Sequence, residues 1–329
     1  MSDVLNLAPP IPAPRAGQRF TFSGLIGSAD AALIAQNALR YRDKFSVMVI
    51  FCAQAQEAQR LLEEIPAFAP QLKTRLLPDW EILPYDHFSP HQDLVSERLA
   101  TLYELLNGSC DIVLVPVTTA LQRLGPPGFL SGHTFFFRQG DKLNEAALKL
   151  QLQQAGYDPV SAVMRPGEYS IRGGLFDLFP MGSNLPYRLD LFGDEIEQIR
   201  AFDPDTQRSL YPVKEIRLLP GHEFPFDDAS RTAFRGRWRE VFEGDPAKTG
   251  VYRDVSQGTL PAGIEYYLPL FFEHTATLLD HLPANALVIT TENIEANCRQ
   301  HWHEIQLRYE QYRVDKTHPL LPPNTVFTP

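Results

Sequence analysis

The stretch of residues 165–200 constrains the fold of this chain more than any other part of it. Its short apolar runs are separated by turn signals at residues 173–174, 180–182 and 193–194, each of which contains glycine. Apolar runs of a few residues between such signals are typical of β-strands joined by tight turns. The stretch therefore predicts a β-meander, in which neighbouring strands pair antiparallel.

Two strands of this meander alternate between apolar and polar side chains. In residues 187–192, a period of two places Arg188 and Phe192 on one face of the sheet, and in residues 168–172 it places Arg172 on the polar face. The predicted sheet has an apolar back and a polar front that carries arginines and one aromatic. Arginine and aromatic residues outside the core dominate binding hot spots, so this front is a candidate partner-binding surface.

Length, charge and cysteine content exclude several classes of protein. The 329 residues suggest about two to three domains, and the net charge of -10 argues against a dominant nonspecific nucleic-acid surface. Cys52, Cys110 and Cys298 lie far apart, which fits a reducing cytoplasm rather than a disulfide framework or a zinc site. Residues 1–18 lack the apolar core of a signal peptide, and no apolar run reaches membrane-spanning length, so we expect no membrane partner.

Apolar runs alternate with helical patterns on both sides of the meander. Residues 46–52 and 112–117 are nearly continuous apolar runs, typical of buried parallel strands, and a helical pattern follows each of them. This alternation predicts an α/β domain with a parallel sheet. The predicted division is a flexible arm at residues 1–18, an α/β domain at 19–133, an inserted α+β domain at 134–213, and resumed α/β structure at 214–329, with a buried strand at 286–290.

Residues 20–40 have the order of strand, glycine-rich turn and helix in which phosphate-binding loops occur. In such loops a lysine after the last glycine reaches the phosphates. Aligning Gly24, Gly27 and Ser28 with that pattern puts Asp30 at the lysine position. A carboxylate there would repel a triphosphate, so we expect a degenerate, non-functional loop in which Asp30 caps the following helix.

Two further patterns imitate catalytic sites. The acidic, aromatic stretch 78–93 contains His87 and His91, but their spacing matches no metal site, and we expect a well-packed aromatic loop at the surface. Residues 189–195 imitate the apolar-then-acidic magnesium motif of ATPases, although they lie in the antiparallel meander rather than on a buried parallel strand. We therefore expect neither a metal site nor a catalytic residue in this chain.

Several long blocks resemble the N-terminal part of bacterial transcription-repair coupling factors. The blocks are GEYSIRGGLFDLFPMGS at 167–183, PYRLDLFGDEIE at 186–197, FDPDTQR at 202–208, PDWEILPYDHFSPHQD at 78–93, LPAGIEYYLPLFF at 260–272 and PLLPP at 319–323. The resemblance covers nearly the whole chain. The meander is also similar to domain 2 of UvrB, a component of the bacterial excinuclease.

The resemblance implies a fold and a partner. It implies a degenerate, inactive P-loop-NTPase-like domain 1a, an inserted domain 2, and a domain 1b that leads into a linker. In this family domain 2 docks UvrA, the damage-recognition component of the excinuclease, and the docking positions that match here are Arg172, Arg188 and Phe192. The motor and the polymerase-binding domain would lie beyond Pro329, so ATP, magnesium, DNA and RNA polymerase would be bound there, and no cofactor is expected in these residues.

Other interpretations stay open beside the adaptor. A nucleotide-binding function would rest on the loop at residues 24–28, and direct DNA binding would have to overcome the acidic charge. The polar front could also bind nothing, if its two arginines paired with carboxylates of the same sheet and Phe192 packed at the sheet's edge. The candidate internal partners are Glu168, Asp177 and Asp190.

Overall fold

Two sheets of different kinds organise the chain. The structure is a computed structural model that describes residues 17–329, so the predicted arm at residues 1–18 lies almost entirely outside the described residues. One sheet is parallel and the larger one is mainly antiparallel, which confirms the predicted mixed α/β class. The likeness to a P-loop NTPase and the domain boundaries at 133 and 213 stay predictions.

Residues 17–329 contain twelve strands. In chain order they are β1 (Met48–Cys52), β2 (Thr74–Leu76), β3 (Ile112–Pro116), β4 (Phe135–Arg138), β5 (Asp158–Pro159), β6 (Glu168–Arg172), β7 (Leu175–Leu178), β8 (Tyr187–Phe192), β9 (Glu195–Phe202), β10 (Ser209–Val213), β11 (Glu215–Leu218) and β12 (Leu287–Thr290).

The same residues contain ten α-helices and three short 3-10 helices, and none of the helices described is long and apolar enough to cross a bilayer. The α-helices are α1 (Ala29–Arg40), α2 (Ala55–Phe68), α3 (Gln92–Leu106), α4 (Val117–Ala120), α5 (Pro127–Gly132), α6 (Glu145–Gln154), α7 (Asp228–Val241), α8 (Gly250–Ser256), α9 (Ile294–Tyr312) and α10 (Pro323–Val326). The 3-10 helices are Pro246–Lys248, Ile264–Leu270 and Leu278–His281.

The parallel sheet has the order β12-β1-β3-β2. Its centre is β1 and β3, whose apolar side chains are buried almost completely, as their continuous apolar runs predict. The last strand in sequence, β12, joins beside β1 only after the chain has passed through the meander. We predicted a buried strand there, but β12 lies at the sheet's edge and its side chains are partly exposed, because only β1 flanks it.

The segment before α1 differs from the prediction. Residues 20–23 form no strand, and Phe20 and Phe22 are exposed, at 42% and 38%. A strand needs a neighbour for its backbone hydrogen bonds, and within residues 17–329 no strand pairs with this segment. The order of strand, turn and helix that suggested a phosphate loop is therefore incomplete.

The six-stranded sheet contains the predicted meander. Its order is β10-β9-β8-β7-β6-β5, and neighbours run antiparallel except for β5 and β6. The register pairs Phe176 with Ile171 on one side and with Leu189 on the other, so these three residues share one face. Leu148 and Leu152 of α6 belong to the same buried cluster. This apolar side is the back of the sheet, as the alternation predicts.

Helix α6 ends where the sequence places its stop signal. Its N-cap is Asn144, whose side chain accepts from the backbone N–H of Ala147 at 3.0 Å. Gly156, just past the other end, has φ +84°, which a residue with a side chain adopts only at a cost. A Cβ there would also come within 2.5 Å of the His222 ring, so the chain after the helix packs closely against the segment that follows β11.

The aromatic stretch at residues 78–93 is only partly on the surface, which corrects one part of the sequence-based expectation. Leu83 and Phe88 are exposed, at 59% and 68%, but other aromatic residues of the stretch lie in the core. Trp80 and Tyr85 are almost fully buried, and both rings contact Tyr266 at centroid distances of 5.6 and 5.5 Å. The Tyr85 hydroxyl donates to the carbonyl of Leu321 at 2.9 Å. The stretch thus builds a second core with the C-terminal third of the chain, and buried aromatic rings stabilise such a core strongly.

Candidate protein-docking face

The polar side of the six-stranded sheet, here called the front face, is built by strand register. Asp177 of β7 lies between Ser170 and Arg188, and Arg188 in turn lies beside Arg200 of β9. Side chains that are directly opposite on neighbouring strands lie close enough to interact. The front face consists of Ser170, Arg172, Leu175, Asp177, Arg188, Asp190, Phe192 and Arg200.

Arg188 is held by internal contacts. Its Nε donates to Asp177 Oδ1 at 2.7 Å, and its Nη2 donates to Asp177 Oδ2 at 2.8 Å. Its Nη1 donates to the backbone carbonyl of Gln207 at 3.3 Å, and its guanidinium lies 4.9 Å from the ring centroid of Phe202. The hydrogen bonds to Asp177 raise the pKa of Arg188 above its ordinary value, so Arg188 stays charged at any physiological pH.

Arg172 and Phe192 are presented to solvent. The Arg172 Nη2 lies 3.7 Å from Asp177 Oδ2, and the Arg172 side chain is 59% exposed. Phe192, at the end of β8, is 80% exposed and therefore does not pack at the sheet's edge. The competing interpretation was that these residues are occupied by contacts within the sheet. It applies to Arg188, which is hydrogen-bonded to Asp177, and only weakly to Arg172, which lies 3.7 Å from the same carboxylate. It does not apply to Phe192, which is exposed.

Sequence reasoning missed one member of this face, Leu175, and named a second, Asp177, only as a candidate internal partner. Leu175 is 41% exposed and is paired with Arg172 on one side and with Asp190 on the other. Asp177 is 4% exposed and faces both Arg172 and Arg188. The signal was present, since alternation within β7 puts Leu175 and Asp177 on the face opposite Phe176. A second ion pair, in which Arg200 Nη2 lies 2.5 Å from Asp190 Oδ2, adjoins them.

The glycine-rich loop presents no lysine at the position where a phosphate-binding loop carries one. Gly24 and Gly27 both have positive φ, and Ser28 is the N-cap of α1 without a side-chain capping bond. Asp30 lies inside the first turn rather than at the N-cap position, but its Oδ1 accepts from the backbone N–H of Ala31 at 2.7 Å. Its carboxylate also pairs with Arg60 of α2, whose Nη2 and Nη1 lie 2.5 and 3.1 Å from the two carboxylate oxygens.

Metal-binding geometry is likewise not found in the part of the chain that the structure describes. Among residues 17–329 no group of three or more His, Cys, Asp or Glu side chains is arranged to hold a metal ion. His87 packs instead against His318 and Tyr312, with ring centroids 5.1 and 6.3 Å apart. On the front face, two exposed apolar side chains, Phe192 and Leu175, lie together with the exposed Arg172.

Comparison with known proteins places this face in a known domain. The family model of the UvrB interaction domain matches residues 135–224, a range that contains the whole six-stranded sheet. The transcription-repair-coupling factor of Escherichia coli (strain K12) is 46% identical over 95% of this chain, and that of Haemophilus influenzae (strain Rd) is 42% identical over 92%. The corresponding factor of Bacillus subtilis (strain 168) is 28% identical over 78%.

These alignments cover 27%, 26% and 22% of the three relatives, so the chain spans about a quarter of the length of the curated relatives it matches. The matching part of the relatives is their N-terminal region. Because the chain aligns with that region over nearly all its length and carries a UvrB interaction domain, it belongs to the transcription-repair-coupling factor family.

Proposed function

We propose that this chain is the adaptor region of a transcription-repair coupling factor and that its front face docks UvrA, the damage-recognition component of the excinuclease. The observation that carries the proposal is the 80% exposed ring of Phe192, which shares one face of a well-packed sheet with the exposed Arg172. This face lies within the matched UvrB interaction domain. Docking would recruit nucleotide excision repair to RNA polymerase that has stalled at damaged DNA.

The chemistry of the face specifies the surface it fits. Phe192 would enter an apolar recess of the partner, where burial of its ring contributes up to about 2 kcal/mol. Leu175, 41% exposed, would widen that apolar contact. Arg172 would add a charge-assisted hydrogen bond at the rim of the recess. The back of the sheet is covered by α6 and belongs to the core, so the strands need not rearrange when the partner binds.

The rest of the protein would supply what this region lacks. In this proposal the intact factor is an ATP-dependent DNA translocase that releases stalled polymerase, and its motor binds ATP, magnesium and DNA outside these residues. Cys52 and Cys110 are buried and, like Cys298, unpaired. Three thiols without a disulfide support a reducing compartment such as the cytoplasm.

Replacing Phe192 by Ala is expected to weaken binding of purified UvrA by at least about 10-fold, as for a central aromatic hot spot. Isothermal titration of the chain with UvrA measures the loss. Phe136→Ala is the matched control, because Phe136 is also exposed, at 40%, but lies on β4 outside the six-stranded sheet. Equal affinity of the unmodified and Phe192→Ala chains, with unchanged melting temperatures, would refute the proposal.

Nucleotide binding is the competing function, and we expect saturating ATP with magnesium to leave the melting temperature unchanged. A bound ligand would raise it by mass action. The physical reason for the expected result is the Asp30 carboxylate, which occupies the position of the lysine and pairs with Arg60. Differential scanning fluorimetry gives the answer, and a rise in melting temperature that Ser28→Ala abolishes would instead support a nucleotide site.

A further inference from the structure

We propose that Asp177, Phe202 and Gln207 form a socket that holds Arg188 in one orientation, from which it grips a carboxylate of the docking partner with two N–H groups. The inference rests on the docking function proposed above. It makes Asp177 a positioning residue, since its carboxylate acts on the partner only through Arg188. It also identifies an Asp or Glu side chain as the partner group that Arg188 meets.

The number of donors on the guanidinium supports this role. An arginine carries five N–H donors in a planar fork. The Asp177 carboxylate uses the Nε–H and one N–H of Nη2, and the Gln207 carbonyl uses one N–H of Nη1. One N–H on each terminal nitrogen is left. Two such groups can meet the two oxygens of a carboxylate, and the Arg188 side chain is 18% exposed, so part of it reaches solvent.

The floor of the socket is apolar. Phe202 is fully buried and packs in a small cluster with Val163 and Phe179, away from the main core. The Arg188 guanidinium lies over its ring at 4.9 Å, a distance at which the ring's negative face attracts a cation. The Phe202 ring below the guanidinium and the Asp177 carboxylate beside it thus restrict the orientation of the Arg188 side chain.

The wall of the socket is the turn after β9. Gln207 has φ +59°, an unfavourable value for a residue that is not glycine. It is held there because its side-chain amide donates to the carbonyls of Pro204 at 2.7 Å and Val163 at 3.1 Å. Asp203 closes the turn by accepting from the backbone N–H of Thr206 at 2.7 Å. The FDPDTQR block of the sequence therefore has a role, which is to point one carbonyl at Arg188.

The balance of charge explains why the matching group is a carboxylate. Asp177 is the one acid that faces both Arg172 and Arg188 at the distances described, so this group of three carries one surplus positive charge. The neighbouring Arg200 is already neutralised by Asp190. An acidic side chain is the partner group that complements both the surplus charge and the two free N–H donors.

The test is a double-mutant cycle read as affinity for UvrA. Asp177→Asn removes the charge with little change of shape, and Arg188→Lys keeps the charge but not the fork. Each single substitution is expected to weaken binding about 10-fold. When Asp177→Asn is added to the Arg188→Lys chain, it should weaken binding by less than about 2-fold more, because Asp177 acts only through the guanidinium of Arg188.

In the free protein, the Arg188 Nε–H signal in an NMR spectrum should be resolved, and it should become exchange-broadened in the Asp177→Asn variant. Glu104→Gln, which breaks the similar pair with Arg75 in the parallel-sheet region, is the control and should leave affinity unchanged.

Each outcome decides between the two proposals. Unchanged affinity of Asp177→Asn, or full additivity in the cycle, overturns the socket while a loss on Phe192→Ala still supports docking. Failure of the unmodified chain to bind overturns the docking proposal and the socket with it. If Asp177→Asn is unfolded at the assay temperature, Arg188→Lys decides, because affinity equal to that of the unmodified chain excludes a two-point grip.

Discussion

Replacing Arg98 by Met is expected to lower the free energy of unfolding by about 3–5 kcal/mol, as for other buried ion pairs that lose one partner. Arg98 lies in α3 and is fully buried. Its Nε and Nη2 donate to the two oxygens of Glu223 at 2.5 and 3.1 Å, and its Nη1 donates to the carbonyl of Pro78 at 2.7 Å. The substitution would leave the Glu223 carboxylate buried without its positively charged partner. Urea denaturation measures the resulting loss in the free energy of unfolding.

The cause of that loss can be separated from simple loss of packing. In Arg98→Met with Glu223→Gln, the uncompensated charge is absent and the amide oxygen still accepts from the Trp80 indole N–H, which lies 3.2 Å away. We expect this double variant to recover at least half of the stability lost in the single one. Equal destabilisation of both variants would contradict the charge explanation and favour a cavity instead.

Replacing Glu265 by Gln is expected to stabilise the protein at pH 8 by about 2 kcal/mol more than at pH 5. Burial raises the pKa of Glu265 to about 7, against an ordinary value of 4.5. The side chain accepts from the Ser89 hydroxyl at 2.8 Å and lines a cavity of about 260 Å³ beside Trp80 and Glu223. Because the side chain is only partly buried, the effect is smaller than the full pKa shift implies.

The sign follows from which state holds the proton more tightly. Since the folded-state pKa is raised, the stability that protonated Glu265 contributes is fully present below about pH 4.5 and is lost as the pH rises through 7. Glutamine is neutral throughout and can still accept from Ser89, so the variant avoids that loss. Denaturation midpoints of both chains at pH 5 and pH 8 measure the stability difference, with Glu273→Gln as the control at an exposed position. A difference between variant and unmodified chain that does not change with pH would contradict the prediction.

Local sequence patterns were sufficient to predict most of the strands and turns that form the front face. Strand alternation over residues 187–192 and glycine turns at 173–174 and 193–194 depend on neighbours in sequence, and they predicted the meander and the face shared by Arg188 and Phe192. Helix α7 also begins by a local rule, since its N-cap Asp227 accepts from the backbone N–H of Ser230 at 2.8 Å. Periods of two and 3.6 residues and capping chemistry need no tertiary context.

Expectations failed where the outcome depended on distant residues. Residues 78–93 are acidic and aromatic and suggested a surface loop. Phe88 is indeed exposed, but Trp80 and Tyr85 are covered by residues from 266 onward. Residues 20–23 have strand composition, yet no strand pairs with them within residues 17–329. Asp30 is one residue past the first helical position, and its carboxylate also pairs with Arg60 of the next helix, which the sequence did not indicate. In each case the deciding partner is remote in sequence, and local propensity carries no information about it.

The sequence by itself determined that Arg172, Arg188 and Phe192 lie on the front face, because a period of two assigns each strand residue to one side of its sheet. It also indicated that the glycine-rich loop lacks its lysine. Only the tertiary structure decided which groups these side chains contact and which of them stay exposed. Cross-strand register sets Asp177 against Arg188, a turn 19 residues away supplies the Gln207 carbonyl, and Phe192 is left without cover. Register and turn placement bring together groups that the chain itself separates, so they follow from the packed fold rather than from any local pattern.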